Sequence, residues 1–161
     1  MRRASHRAGQ AKRSPSIRLA MGARKVLFVA GFGPIVRDAG RSRALYRKQL
    51  GIPFEEVDGY LHTEKLPGAY AFALWPLEQA AQSCFGSPRW PRKYPVPQAW
   101  LEFDVEDVPK MTRELKSRGY QLLVESREEP WGQTVTRLLS PEGLLVGVTR
   151  TPWLRKRARH R

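Results

Sequence analysis

Few side chains in the body of this sequence could do chemistry at an active site. Between residues 26 and 149 there is one histidine, His62, and one cysteine, Cys84. No base stands beside Cys84 in the sequence, so we interpret it as a packing residue rather than a nucleophile. Glu102 is the candidate catalytic acid or base. It stands two residues from Trp100, on the same face of a predicted strand, and burial there would raise the pKa of a carboxyl group.

Other signatures of catalysis are absent from the sequence. We find no nucleophile–base pair, no Walker-type glycine loop and no dinucleotide-binding fingerprint. The adjacent acids Glu128 and Glu129, just before Pro130 and Trp131, are interpreted as part of a solvated loop. Apart from Glu102, catalytic residues are therefore unknown.

The charge of the chain is concentrated at its ends. The 161 residues carry 29 lysines and arginines against 15 acids, a formal net charge of +14. Residues 1–25 hold eight cationic side chains and residues 150–161 hold six, with no acid in either segment. The body between them is neutral, so it offers no basic stripe for nucleic acid.

The two ends are interpreted as tails. Residues 1–24 favour a disordered basic tail, with an organelle-targeting segment, a nucleic-acid or membrane-surface arm, or an upstream start before Met21 as alternatives. Residues 151–161 are taken as a second basic tail. A lone cysteine is typical of a reducing interior, and no apolar run approaches the roughly 18 residues that cross a bilayer, so we expect a cytoplasmic protein.

The elements that must position any site repeat along the chain. The first half predicts a buried strand over 26–36 and a helix over 40–50 that ends at Gly51. The second half predicts a strand over 100–105 and a helix capped by Asp107 that ends at Gly119. Three strands follow each helix, near 54–58, 60–65 and 69–75 in the first half and near 120–125, 134–140 and 144–149 in the second.

The two halves also match in register. Val36-Arg37-Asp38 and Val105-Glu106-Asp107 stand 69 residues apart, and the two helix-ending glycines stand 68 apart. Each half therefore forms a strand–helix–three-strand module, at about 25–76 and 98–150, joined by a proline-rich linker at 77–97. One such module buries too little surface to be stable alone, so we expect the two to pair.

This tandem resembles the vicinal oxygen chelate superfamily, which includes glyoxalase I, bleomycin-resistance proteins and extradiol dioxygenases. The resemblance covers about residues 25–150 and implies an α+β fold in which two βαβββ modules form a curled sheet with a cavity. The fragments that carry it are Val36-Arg37-Asp38, Leu45-Tyr46, Leu50-Gly51, Phe103 to Val108, Gly119, Pro130-Trp131-Gly132-Gln133 and Ser140-Pro141-Glu142-Gly143.

The resemblance also locates where a metal would be held. Metal-dependent members carry a histidine on the opening strand and a carboxylate on the last strand of each half. The matching positions here are Gly31, Trp100, Gly147 and, with an open register, Ala71 or Phe72. Because a divalent metal needs three or four nitrogen or oxygen ligands, we expect no metal and no cofactor.

Glycine and tryptophan at these positions leave room and a stacking surface for a flat organic molecule. The same aromatic residues could instead build the core or a dimer interface, and that alternative stays open. The candidate ligand-binding residues are Trp100, Trp131, Gln133, Phe32 and Trp75, with Glu102 as a further polar contact and Trp90 as a further aromatic one.

Three functions are compatible with this sequence. The first is a metal-free, cytoplasmic homodimer of the bleomycin-resistance type that binds or sequesters a small, flat, apolar organic molecule. The second is a metal-independent isomerase or lyase on the same fold, with Glu102 as acid or base. The third is a domain tethered to nucleic acid through its basic tails.

Overall fold

The structure is a computed structural model that describes residues 25–158. Our interpretations of residues 1–24 and 159–161 therefore lie outside the described residues. The first half contains β1 (Val26–Val36), α1 (Ala39–Arg43, continued by a π-helical segment at Ala44–Gln49), β2 (Glu55–Val57), β3 (Tyr60–Thr63) and β4 (Phe72–Pro76). After α2 (Leu77–Phe85), the second half contains β5 (Ala99–Val105), α3 (Val108–Ser117), β6 (Leu122–Glu128), β7 (Thr134–Leu139), β8 (Leu145–Arg150) and α4 (Pro152–Ala158).

All eight strands join in one sheet, in the order β2-β3-β4-β1-β5-β8-β7-β6. The two opening strands, β1 and β5, lie antiparallel at its centre. Each runs parallel to the last strand of its own module, β1 to β4 and β5 to β8. The predicted α+β fold of two βαβββ modules is confirmed, while the module limits of about 25–76 and 98–150 remain our proposal.

The matched anchors of the two halves have matched structural roles. Asp38 caps α1 by accepting a hydrogen bond from the backbone N–H of Arg41 at 2.9 Å. Asp107 caps α3 in the same way, from the backbone N–H of Lys110 at 2.8 Å. Each carboxylate satisfies a helix N–H that has no partner within the helix.

Two segments differ from the sequence expectation. The proline-rich linker contains α2, whose buried face carries Cys84. The segment 151–161, interpreted above as a tail, is corrected: Pro152–Ala158 forms α4, and Leu154 within it is only 2% exposed. An apolar side chain inside the basic run holds this helix against the body, because burial of a leucine contributes about 1.5–3 kcal/mol.

The core lies around the central strands. One cluster contains Trp100, Val135 and Leu145, with Cys84 of α2 packed in the same group. The backbones of β1 and β4 lie so close at Gly33 that a Cβ at this position would be 1.8 Å from the Ala73 carbonyl oxygen. Among the described residues, no helix is long and apolar enough to cross a membrane.

Candidate ligand-binding cavity

One face of the sheet carries a row of residues that crosses four neighbouring strands. Gly31 of β1 pairs with Glu102 of β5, which pairs with Gly147 of β8, and Gly147 pairs with Arg137 of β7. A cavity of about 700 Å³ opens over this face. It is lined by Ala30, Gly31, Val57, Asp58, Tyr60, His62, Glu64, Ala71, Trp75, Gln79, Trp100, Glu102, Trp131, Gln133, Arg137, Thr151, Trp153 and Leu154.

The aromatic lining presents carbon surface rather than N–H groups. The Trp100 indole donates its N–H to the Ala73 carbonyl at 3.3 Å. Trp131 donates to Gln133 Oε1 and Trp153 to Glu64 Oε1, both at 3.0 Å. Because these three N–H groups are bonded within the protein, what the indoles leave for a ligand is ring surface, which suits apolar and aromatic groups.

A polar cluster lies within this aromatic lining, and it is held in one orientation. Since Gln133 Oε1 accepts from Trp131, its amide nitrogen is directed to Glu102 Oε2, at 2.9 Å. Arg137 Nη2 donates to the other oxygen, Glu102 Oε1, at 3.3 Å. A carboxylate has about four acceptor sites, and these two bonds leave some of the Glu102 sites for a ligand.

Arg137 is the cation of a buried ion-pair network. Its Nη1 donates to Glu129 Oε1 at 3.0 Å and to Ser83 Oγ at 2.8 Å, and its side chain is 3% exposed. The guanidinium also lies over the Trp75 ring, 5.1 Å from its centroid. Among the buried side-chain atoms of the described residues, Arg137 Nε has no hydrogen-bond partner. Facing carboxylates and an aromatic face together compensate the burial of this charge.

The network fixes the protonation states at the site. Burial acts to lower the pKa of Arg137, but Glu102 and Glu129 raise it above its ordinary value, so the guanidinium stays charged. Burial acts to raise the pKa of Glu129, but Arg127 and Arg137 lower it overall. Burial and then the charge of Glu102 raise the pKa of Tyr60, whose hydroxyl therefore keeps its proton at neutral pH.

The positions at which the family resemblance would place metal ligands do not fit a metal. A Cβ on Gly31 would lie 2.8 Å from the Trp100 ring, and one on Gly147 would lie 2.7 Å from Glu102 Cγ. The side chains of Trp100 and Glu102 thus fill the space above these glycines. Within residues 25–158, no group of three or more His, Cys, Asp or Glu side chains is placed to hold a metal ion.

The cavity brings together most of the candidate residues and excludes two. Trp100, Trp131, Gln133 and Trp75 line it, together with Glu102. Phe32 does not, which corrects that prediction. Phe32 follows Gly31 on β1, and successive side chains of a strand point to opposite faces, so it lies on the far side of the sheet, 40% exposed.

Trp90 is also outside the lining, because it packs edge-on against Phe85 of α2 with ring centroids 5.0 Å apart. His62, the one histidine between residues 26 and 149, lies on β3, which pairs with β2 on one side and β4 on the other. Its ring lines the cavity and stacks on Tyr60 at 5.5 Å.

Sequence reasoning missed several participants of the site, Tyr60 of β3 among them. Glu129, interpreted as solvated, is buried against Arg137. Arg137 itself could have been found, since it shares strand parity with Gln133, which was already a candidate. The signal for Trp153 and Leu154 was Thr151-Pro152, a combination that typically begins a helix.

The comparison with protein-family models identifies one match. The model described as "Glyoxalase/Bleomycin resistance protein/Dioxygenase superfamily" matches residues 32–148, most of the chain and nearly all of both modules. Among curated proteins, none matches the chain.

Solved structures share the fold at low sequence identity. A methylmalonyl-CoA epimerase from Mycobacterium tuberculosis has a TM-score of 0.52 and 21% identity, covering 84% of this chain and 96% of that one. A structure described as an NAD-dependent benzaldehyde dehydrogenase from Legionella pneumophila has a TM-score of 0.51 and 12% identity, with coverages of 74% and 96%. A superfamily member from Vibrio splendidus 12B01 has a TM-score of 0.50 and 15% identity, with the same coverages. These likenesses establish the fold and not an activity.

Proposed function

We propose that this chain, which belongs to the glyoxalase/bleomycin resistance protein/dioxygenase superfamily, binds a small, flat, apolar organic molecule without a metal. The proposal places that molecule in the cavity between the two modules. Binding or sequestration requires shape and affinity but no catalytic group, so it is compatible with glycine and tryptophan at the ligand positions of metal-dependent members.

The observation that carries the proposal is the orientation of the aromatic lining. Three indoles have their N–H groups bonded to protein acceptors, and their rings line a cavity of about 700 Å³. Pockets of roughly 300–1,000 Å³ are typical for small organic ligands. The Glu102 carboxylate and the Tyr60 hydroxyl would then fix the orientation of the molecule.

A titration with Nile red, a neutral and planar dye, tests this function. We expect saturable quenching of tryptophan fluorescence in the wild-type protein. Trp131 is 57% exposed at the cavity, so its substitution leaves the core intact. Trp131→Ala should weaken binding about tenfold, the value of one lost aromatic contact.

Tyr120→Ala is the matched control, because Tyr120 is similarly exposed, at 50%, and does not line the cavity. Its affinity for Nile red should equal that of the wild type. Absence of saturable quenching in the wild-type protein would contradict the proposed function, and an equal loss in both variants would place the dye elsewhere.

A second candidate function is a metal-independent isomerase or lyase, with Glu102 as acid or base. The supporting observation is that Glu102 and Tyr60 both line the cavity and that the Tyr60 hydroxyl keeps its proton at neutral pH. A molecule that co-purifies with the protein, identified by native mass spectrometry, should then exchange a carbon-bound hydrogen for deuterium in D₂O. Glu102→Gln should abolish the exchange, and equal exchange in both proteins would eliminate Glu102 from this role.

We also propose a cytoplasmic homodimer. Support for self-association comes from the central strand β1, where Leu27, Val29 and Phe32 are all exposed apolar side chains. Light scattering coupled to size-exclusion chromatography should give twice the mass of the chain. Phe32→Glu should convert the dimer to a monomer, and a monomeric wild-type protein would contradict this part of the proposal.

A further inference from the structure

Helix α4 follows the segment that the family model matches, and it forms part of the cavity. The family match ends at residue 148, and α4 spans Pro152–Ala158. Thr151 and, within α4, Trp153 and Leu154 line the cavity. The residues that follow the matched segment therefore meet the space in which the proposed ligand binds.

The start of α4 is fixed by a buried anchor in the second module. Asp104 Oδ2 accepts the backbone N–H of Thr151 at 2.8 Å, and Oδ1 accepts from Arg155 Nε at 2.8 Å. Arg155 also donates to the Val105 carbonyl. The Asp104 side chain has no solvent exposure, and this burial raises the pKa of its carboxyl even though the Thr151 and Arg155 contacts act to lower it.

The cavity-facing side of α4 is held by a second anchor, on the first module. Glu64, which follows β3, accepts the Trp153 indole N–H on Oε1 at 3.0 Å and Arg157 Nη1 on Oε2 at 2.6 Å. The Glu64 and Arg157 side chains are more than one-third exposed, at 38% and 35%. One carboxylate thus sets the position of the indole, and it is the more exposed of the two anchors.

We propose that α4 is the ligand-selecting wall of the cavity, with Trp153 as a ligand contact and Glu64 as the residue that positions it. This inference rests on the proposed function. Among the indoles of the lining, Trp131 and Trp153 are the two most exposed, and we assign the mouth of the cavity to them. A mouth bounded by two indoles admits a narrow, flat ring system and rejects a wide one.

Two dyes of the same chemistry and different width test the selection. We compare ANS with bis-ANS, its doubled analogue, by fluorescence titration. Trp153→Ala removes a contact and widens the mouth. ANS should therefore bind about tenfold more weakly than to the wild type, while the affinity for bis-ANS is unchanged or higher.

Three substitutions test the positioning residue. Glu64→Ala removes both bonds of the carboxylate and should reproduce the change in the ANS to bis-ANS affinity ratio. Glu64→Gln retains an acceptor for the Trp153 N–H and should restore most of the wild-type ratio. Glu55→Ala is the matched control, since it removes an exposed ion pair with Lys65 and neither residue lines the cavity, and it should leave the ratio unchanged.

Hydrogen exchange, measured without ligand, tests the role of Glu64 independently of the proposed function. Hydrogen exchange of the α4 amides should be faster in Glu64→Ala than in the wild type and in Glu55→Ala. Failure of both dyes to bind the wild-type protein would overturn the proposed function. If both dyes bind with the same affinity ratio in the wild type and in Trp153→Ala, the selecting role of α4 is overturned while the proposed function stands. If hydrogen exchange of α4 is unchanged in Glu64→Ala, the positioning role of Glu64 is overturned.

Discussion

The two modules share their framework and differ in chemistry. Asp38 and Asp107 cap equivalent helices with the same hydrogen bond. Gly51 and Gly119 end those helices with positive φ angles of 66° and 83°, where glycine avoids the strain that other residues incur. The framework residues are therefore of the same type in both halves, at offsets of 69 and 68 residues.

At the cavity this correspondence ends. The offset of 69 residues makes Gly33 of β1 equivalent to Glu102 of β5. Glu102 projects into the cavity and bonds to Gln133 and Arg137, whereas Gly33 has no side chain and its backbone lies against Ala73. The second module therefore supplies the charged cluster of the cavity, and the first supplies Tyr60, His62 and Trp75 as an aromatic wall. Duplication gives a common scaffold whose halves can carry different halves of one site.

The largest effect on stability is expected at Gly33 of the first module, where a Cβ would meet backbone. At Gly147 of the second module a Cβ would meet a side chain. Gly33→Ala brings a methyl group onto the Ala73 carbonyl oxygen, which the backbone cannot move away from. The free energy of unfolding should fall by about 5 kcal/mol, at the upper end for a single substitution. Gly147→Ala meets the Glu102 side chain, which can shift, and should cost about 1–3 kcal/mol. Urea denaturation measures both, and equal losses would contradict the assignment of Gly33 as a backbone contact.

The next effect contrasts a buried with an exposed arginine. Arg137→Met leaves Glu102 buried without its cation and Glu129 with Arg127 alone, and should lower the free energy of unfolding by about 3–5 kcal/mol. Arg43→Met in the first module breaks a solvent-accessible pair with Glu56, where water screens the charges, and should lower the free energy of unfolding far less than Arg137→Met. If chemical denaturation gave the same loss for both, the second-module cluster would not be the shielded network described above.

The two helix caps should contribute unequally to the free energy of unfolding. Asp107→Ala removes the cap of α3, which buries Val108 and Thr112, and should cost about 1 kcal/mol. Asp38→Ala uncaps α1, which has no buried residue, and should cost about 0.5 kcal/mol. Thermal unfolding ranks the two, and a larger effect of Asp38→Ala would reverse this ranking.

The smallest effect concerns pH. The pKa of Glu129 is lower in the folded protein than its ordinary value of 4.5, so its ionised form stabilises the fold above that value. This contribution is lost as the pH falls through 4.5 and below. Glu129→Gln should therefore lower the melting temperature at neutral pH and reduce its fall on acidification. If the melting temperatures of wild type and variant fell by the same amount on acidification, the ionised Glu129 would not stabilise the fold.

The framework could be predicted from the sequence because it rests on local signals. Alternating apolar residues, a capping aspartate and a helix-ending glycine each act within a few residues of where they stand. The same alternation placed Trp100 and Glu102 on one face of β5, and both line the cavity.

What could not be predicted depends on contacts between distant segments. Glu129 is buried only because β7 places Arg137 beside it, and a pair of adjacent acids gives no sign of that partner. Phe32 was misassigned by one residue, which on a strand is enough to reverse the face. The cations of residues 151–161 are typical of a tail, and they obscure two large apolar residues, Trp153 and Leu154, of which Leu154 is buried.

The bonded indole N–H groups have a consequence for the thermodynamics of binding. Trp100, Trp131 and Trp153 each have one ring edge tied to a protein acceptor, so rotation of their side chains would break a hydrogen bond. Little rotamer entropy is then left to lose when a ligand enters. A rigid pocket of this kind should therefore bind an inflexible ring system more tightly than a flexible chain of the same apolar area.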